Sequence, residues 1–207
     1  MSKVLKCVFV AGAVVLLAGC ATRTRTPELA QYQNVKYATN EKWGYEYIEG
    51  VEYSYPGASK AGKDALPVCI AQNVQNKAVT LRGNQNSGFF RGAFWNTGTS
   101  DTVGGGSVIS YVSDDRNTVV AQGTNIHDTG NVLAPNKDAV SFRLTAKRSP
   151  AGTSMAFSNL ERASEDSGQM ANQGFYKVGS WSGASPTRVL DGLKKTADTI
   201  NNCLGTL

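Results

Sequence analysis

Histidine is almost absent from this chain of 207 residues; the only one is His127. That scarcity excludes zinc sets built from several His and Cys side chains. It also leaves any serine or cysteine nucleophile a single imidazole to serve as its base. His127 lies in the stretch Gly123-Thr124-Asn125-Ile126-His127-Asp128-Thr129-Gly130, which reads as a polar loop. Adjacent residues of an extended chain point apart, so His127 and Asp128 do not make a dyad. Charged residues are few as well, at 18% of the chain, with a formal net charge of +5. So small an excess gives no argument for nucleic acid. The pairs Lys147-Arg148 and Lys194-Lys195 read as solvated faces.

Other chemical signatures fail on inspection. Gly104-Gly105-Gly106-Ser107 leads into a strand and lacks the lysine of a phosphate loop. Gly179-Ser180-Trp181-Ser182-Gly183 does not have the Gly-x-Ser-x-Gly spacing of a nucleophile elbow. Asp114-Asp115 is a turn with too few acids for a calcium loop. Glu161, Glu165 and Asp166 would act as paired carboxylates only if the fold brought them together. No catalytic residue, metal ligand or cofactor is therefore expected. No repeat of fixed period is present, and no stretch after residue 20 approaches the roughly 20 apolar residues that a spanning helix needs.

What the chain does have begins at its first residues. Lys3 and Lys6 precede an uncharged apolar run from Val8 to Ala18, which ends in Leu17-Ala18-Gly19-Cys20. This is the layout of an export signal, with a basic start, an apolar centre and small residues at the cleavage point. The Leu-Ala-Gly-Cys ending resembles the lipobox of bacterial lipoproteins. The resemblance covers the leader and Cys20 only. It implies cleavage before Cys20 and lipidation of its sulfur, with residues 1–19 removed as a signal peptide. Several acyl chains hold a protein stably at a membrane, since each buried methylene contributes about 0.8 kcal/mol. In that class an Asp after the Cys favours the inner membrane; Ala21-Thr22 here implies the outer membrane. The motif itself does not set which side the lipid-anchored domain faces; the periplasm is the expectation.

Loss of the leader removes Cys7, and lipidation commits Cys20, which leaves Cys69 and Cys203. In an oxidising compartment two remaining cysteines are expected to bond. The mature charge becomes a mild +3, from 19 basic and 16 acidic side chains.

Hydropathy then orders the rest. Residues 20–63 read as a lipidated tether and an arm rich in aromatics, including Tyr37, Trp43, Tyr45, Tyr53 and Tyr55, closed by Pro56-Gly57. Residues 64–207 read as one globular domain. Asp64 to Lys77 predicts a short helix, with Pro67 in its first turn, and Val68-Cys69-Ile70 leaves a strand as the alternative. Strands are expected at Ala78–Arg82, Phe89–Trp95, Ser107–Val112, Thr118–Gln122, Ala139–Lys147, Met155–Leu160 and Gly174–Trp181. In the clearest of them Val140, Phe142, Leu144 and Ala146 share one face, the mark of an antiparallel sheet with one wet side. Ser185 and Pro186 open a helix in which Val189, Leu190, Leu193, Ala197, Ile200, Cys203 and Leu204 fall in one arc of about 140°. Cys203 lies at the edge of that arc, within reach of Cys69. The expected fold is α+β: an antiparallel sheet of about five to seven strands covered by the amphipathic C-terminal helix, with a short N-terminal helix.

The most unusual internal stretch is Asn84 to Thr99, where Phe89, Phe90, Phe94 and Trp95 stand among Gly, Asn and Ser. Exposed aromatics anchor interfaces, so these four are the candidate partner-binding residues. The expected function is that of a non-enzymatic outer-membrane lipoprotein, an accessory or structural binding protein for an envelope protein complex or peptidoglycan. A periplasmic hydrolase of wall or lipid material, or a small-ligand carrier, is the alternative.

Overall fold

Strict alternation of apolar and polar residues builds the centre of the molecule. In the computed structural model β7 (Lys137–Ser149) buries Val140, Phe142, Leu144 and Ala146 on one face, as its pattern predicts. The structure describes residues 23–57, 61–90, 93–128, 137–168 and 171–207, and within 84–99 the backbone alone. β7 pairs with β8 (Gly152–Ser164) on one side and β6 (Thr118–Asp128) on the other. β2 (Glu46–Pro56) and then β1 (Val35–Thr39) extend the sheet beyond β8, and β5 (Ile109–Val112) extends it beyond β6. The short β9 (Tyr176–Lys177) also pairs with β8, giving seven antiparallel strands.

Two helices complete an α+β architecture: α1 (Ala65–Asn73) and α2 (Pro186–Thr206). Leu66 and Ile70 of α1, Leu190, Leu193 and Ile200 of α2, and Leu144, Met155 and Phe157 of the sheet belong to one apolar cluster. Each such side chain taken out of water contributes about 1.5–3 kcal/mol. Cys69 and Cys203 are bonded, with Cα atoms 5.7 Å apart, and so join α1 to α2. Three phenols add polar ties to α2. Tyr53 donates to the Leu190 carbonyl at 2.9 Å, Tyr55 to Asp198 at 2.7 Å and Tyr32 to Asp191 at 2.7 Å.

Several expectations are corrected. Residues 46–55 of the aromatic arm, whose loose alternation suits an edge strand, instead form β2, an interior strand between β1 and β8. Ile48 and Val51 are both buried although three residues apart, because Glu49 has no partner in the β1–β2 register and bulges out. A bulge at Asn159 likewise turns both Phe157 and Leu160 inward. Residues 123–128 are strand, not loop. Gly123 is no breaker; a Cβ there would stand 2.6 Å from the Phe142 ring and 2.7 Å from Val74 just after α1, so the glycine permits close packing. β3 (Val79–Phe90) and β4 (Ala93–Val103) form a separate two-stranded sheet instead of joining the main one. Val79 and Leu81 pack with Ala139 and Ala163, which alternation places on the sheet face opposite the main core. Ser185 does not cap α2 through its side chain; its backbone is left-handed (φ 51°), and Pro186 opens the helix.

Candidate functional site

The inward pattern of β7 does not stop at Val140. Two residues earlier the same face carries Asp138, a carboxylate only 3% exposed. Its register partner on β6 is His127, and Arg162 of β8 stands diagonally across, opposite Val140. Arg162 donates to Asp138 Oδ2 at 2.7 Å and to the Ala184 carbonyl at 2.7 Å. His127 Nε2, Asp138 Oδ1 and Arg162 Nε are buried with no hydrogen-bond partner among the described residues. The polar end of the apolar face is thus a row of three ionisable side chains, partly satisfied. Burial depresses the basicity of His127, and Arg188 and Lys195 lower it further, while Asp138 acts the other way. The ring is biased towards its neutral form.

Gly192 of α2 rests on that ring. A Cβ at Gly192 would lie 2.3 Å from His127 Cε1. In an ordinary helix interior Gly→Ala stabilises by about 1 kcal/mol. Here Gly192→Ala is expected to destabilise instead, by about 1–3 kcal/mol, because the methyl overpacks the contact. Urea denaturation checks the sign, and adding His127→Ala to the same chain is expected to recover most of the loss.

Beside this contact a cleft of about 680 Å³ opens between the end of β6 and α2. Four cations line it. Lys77 comes from the segment after α1, Lys137 from the start of β7, and Arg188 and Lys195 from α2. Arg188 and Lys195 are seven residues apart, two helical turns, so they share a face. Lys77, Arg188 and Lys195 have no ion-pair partner among the described residues. Among the described residues Asp191 is the only carboxylate of the lining, and it accepts the Tyr32 phenol, whose pKa burial and this contact push up to about 12. Neutral polar groups complete the wall, with Asn125 donating to Thr196 Oγ1 at 3.1 Å. Such a concentration of one sign in a concave site draws anions.

The sequence-predicted residues fall elsewhere. Cys20 lies outside the described residues. Phe89 and Phe94 are register partners across the β3–β4 hairpin, and Trp95 pairs with Gly88; the side chains of Phe89, Phe90, Phe94 and Trp95 lie outside the described residues. The Lys194-Lys195 pair is split: Lys194 bonds Asp198 on its own helix, while Lys195 faces the cleft. Arg148 donates to Ala61, Gly62 and Asn117 and fastens a loop. Glu161 pairs with Lys177 at 2.9 Å. Asp115 accepts from Ser113 and Asn117 within its own turn. Among the described residues no three His, Cys, Asp or Glu side chains converge as a metal set. Asp138 and Arg162 had a sequence signal: each continues an inward-facing period with a charge. The cleft cations had none, since they come from three separate segments.

No protein-family model matches the chain, and no curated protein matches it. Among solved structures a DUF4468 family protein from Bacteroides ovatus is similar at 12% identity, over 84% of this chain and 94% of that one, with a TM-score of 0.45. No helix of the described residues is long and apolar enough to cross a membrane.

Proposed function

We propose that the protein is a lipid-anchored outer-membrane protein of the bacterial envelope, held through Cys20, that acts by binding and has no catalytic turnover. The cleft between β6 and α2 is its binding site, and its ligand is acidic. The observation that carries this reading is the convergence of Lys77, Lys137, Arg188 and Lys195 on one concavity whose one carboxylate among the described residues, Asp191, is already engaged. Peptidoglycan, whose peptide stems present carboxylates, is the envelope polymer that this chemistry fits. The leader ending in Cys20 and the Cys69–Cys203 bond agree with a site of action outside the cytoplasm.

Co-sedimentation of the mature domain with purified sacculi tests the proposal. Retention is expected at low salt and is expected to fall steeply as ionic strength rises. Arg188→Glu with Lys195→Glu reverses two charges on the cleft wall and is expected to lower retention at least tenfold with folding intact. Wild-type protein left in the supernatant, with the same cleft instead crosslinking to an envelope protein in intact cells, would move the ligand from wall to protein. Release of soluble wall fragments would overturn the non-enzymatic reading.

A further inference from the structure

The chain is seated on the domain immediately after the proposed anchor. Arg23, three residues beyond Cys20, places its guanidinium 5.2 Å from the ring centres of both Tyr45 and Trp181. Those two rings meet edge to face at 5.3 Å. Two residues on, Arg25 lies 3.7 Å over the Tyr37 ring and grips both oxygens of Glu46, at 2.8 and 2.5 Å. The Thr26 N–H donates to the Ser180 carbonyl at 2.9 Å, and Leu29 is buried. Each guanidinium is thus attracted to an aromatic face. From Arg23 onward no free tether remains.

Chain length then sets a distance. Three peptide units separate the Cα atoms of Cys20 and Arg23 and reach at most about 11 Å. A lipid on Cys20 sits in the bilayer, with its glyceryl group at headgroup depth. The surface around Arg23 must lie within that reach of the headgroups. This surface is chemically suited to them. Trp43, in the turn between β1 and β2 two residues before Tyr45, is 65% exposed, and Lys42 holds its ammonium 5.0 Å from that ring. A depression of about 430 Å³ is walled by Arg23, Arg25, Trp181 and Ser182. Glu46 is held by Arg25, which leaves Glu41 as the acid of the turn. Tryptophan with basic side chains is the composition that settles at membrane interfaces.

We infer that this face docks on the phospholipid headgroup layer, with Trp43 entering the interface as a second attachment that fixes the orientation of the anchored domain. The inference rests on lipidation of Cys20. Its test uses the full acylated chain, purified from membranes and reconstituted in phosphatidylethanolamine–phosphatidylglycerol vesicles carrying bromine near the top of the acyl chains. Tryptophan fluorescence is expected to be quenched, and Trp43→Phe, at an exposed position, is expected to reduce the quenched fraction at least twofold with unchanged circular dichroism. Equal quenching of wild type and Trp43→Phe, or none in either, on a chain shown by mass spectrometry to be acylated, overturns the docking and leaves the anchor standing. A chain that mass spectrometry shows without acyl groups overturns both.

Discussion

Replacing Cys69 and Cys203 together with Ala is expected to lower the stability of the domain by about 5 kcal/mol. The two residues are 134 positions apart, and in the chain-entropy model a loop of that length gives a penalty of about this size to the cross-linked unfolded state. The bond also joins the two helices of the main core. Cys69 is fully buried in α1, and Cys203 borders the apolar stripe of α2. For a domain of this size the loss corresponds to a fall in Tm of roughly 10–20 °C. Thermal unfolding by circular dichroism checks it. A Tm within a few degrees of wild type would show that packing alone holds α1 on α2.

A comparable loss is expected from a single polar substitution. Asp138→Ala leaves the Arg162 guanidinium, 13% exposed at its side chain, without its carboxylate. An uncompensated buried charge costs about 3–5 kcal/mol. The loss belongs to the stranded charge, so Asp138→Ala combined with Arg162→Met is expected to be markedly more stable than Asp138→Ala alone. Urea unfolding of the three chains gives the comparison. If the double variant is no better than the single one, the carboxylate has another role at that position, and its unpaired Oδ1 beside His127 is where to look.

The two variants mark the boundary of what sequence patterns reveal. The cysteine pairing followed from counting cysteines, and the burial of Val140, Phe142, Leu144 and Ala146 followed from period two. The stripe of α2 followed from period 3.6. What failed were elements in which a second effect broke the period. The bulges at Glu49 and Asn159 put inward residues three apart, so residues 46–55 alternate only loosely and Leu160 falls out of period with Met155 and Phe157. Gly123 resembles a loop signal, but its role is to let Phe142 and Val74 approach the β6 backbone. The cleft was the least legible feature. Lys77, Lys137, Arg188 and Lys195 are ordinary surface residues in their own segments, and only the fold, which brings the segment after α1, the start of β7 and α2 around the end of β6, makes them neighbours.

The position of β2 in the sheet has a consequence for the order of events during synthesis. Its second partner, β8, lies about a hundred residues downstream, with Val51 opposite Phe157. A chain that emerges from its N-terminus therefore exposes the tyrosine-rich β2 and the thiol of Cys69 long before either has a mate. α2 arrives later still, and it brings both Cys203 and the groups that accept the Tyr32, Tyr53 and Tyr55 phenols. Native closure is thus withheld until the chain has been delivered almost in full. Pairings this distant in sequence form slowly. During that interval the emerging segment is open to whatever enzymes cleave, modify or oxidise it, and to any chaperone that must keep its strands apart.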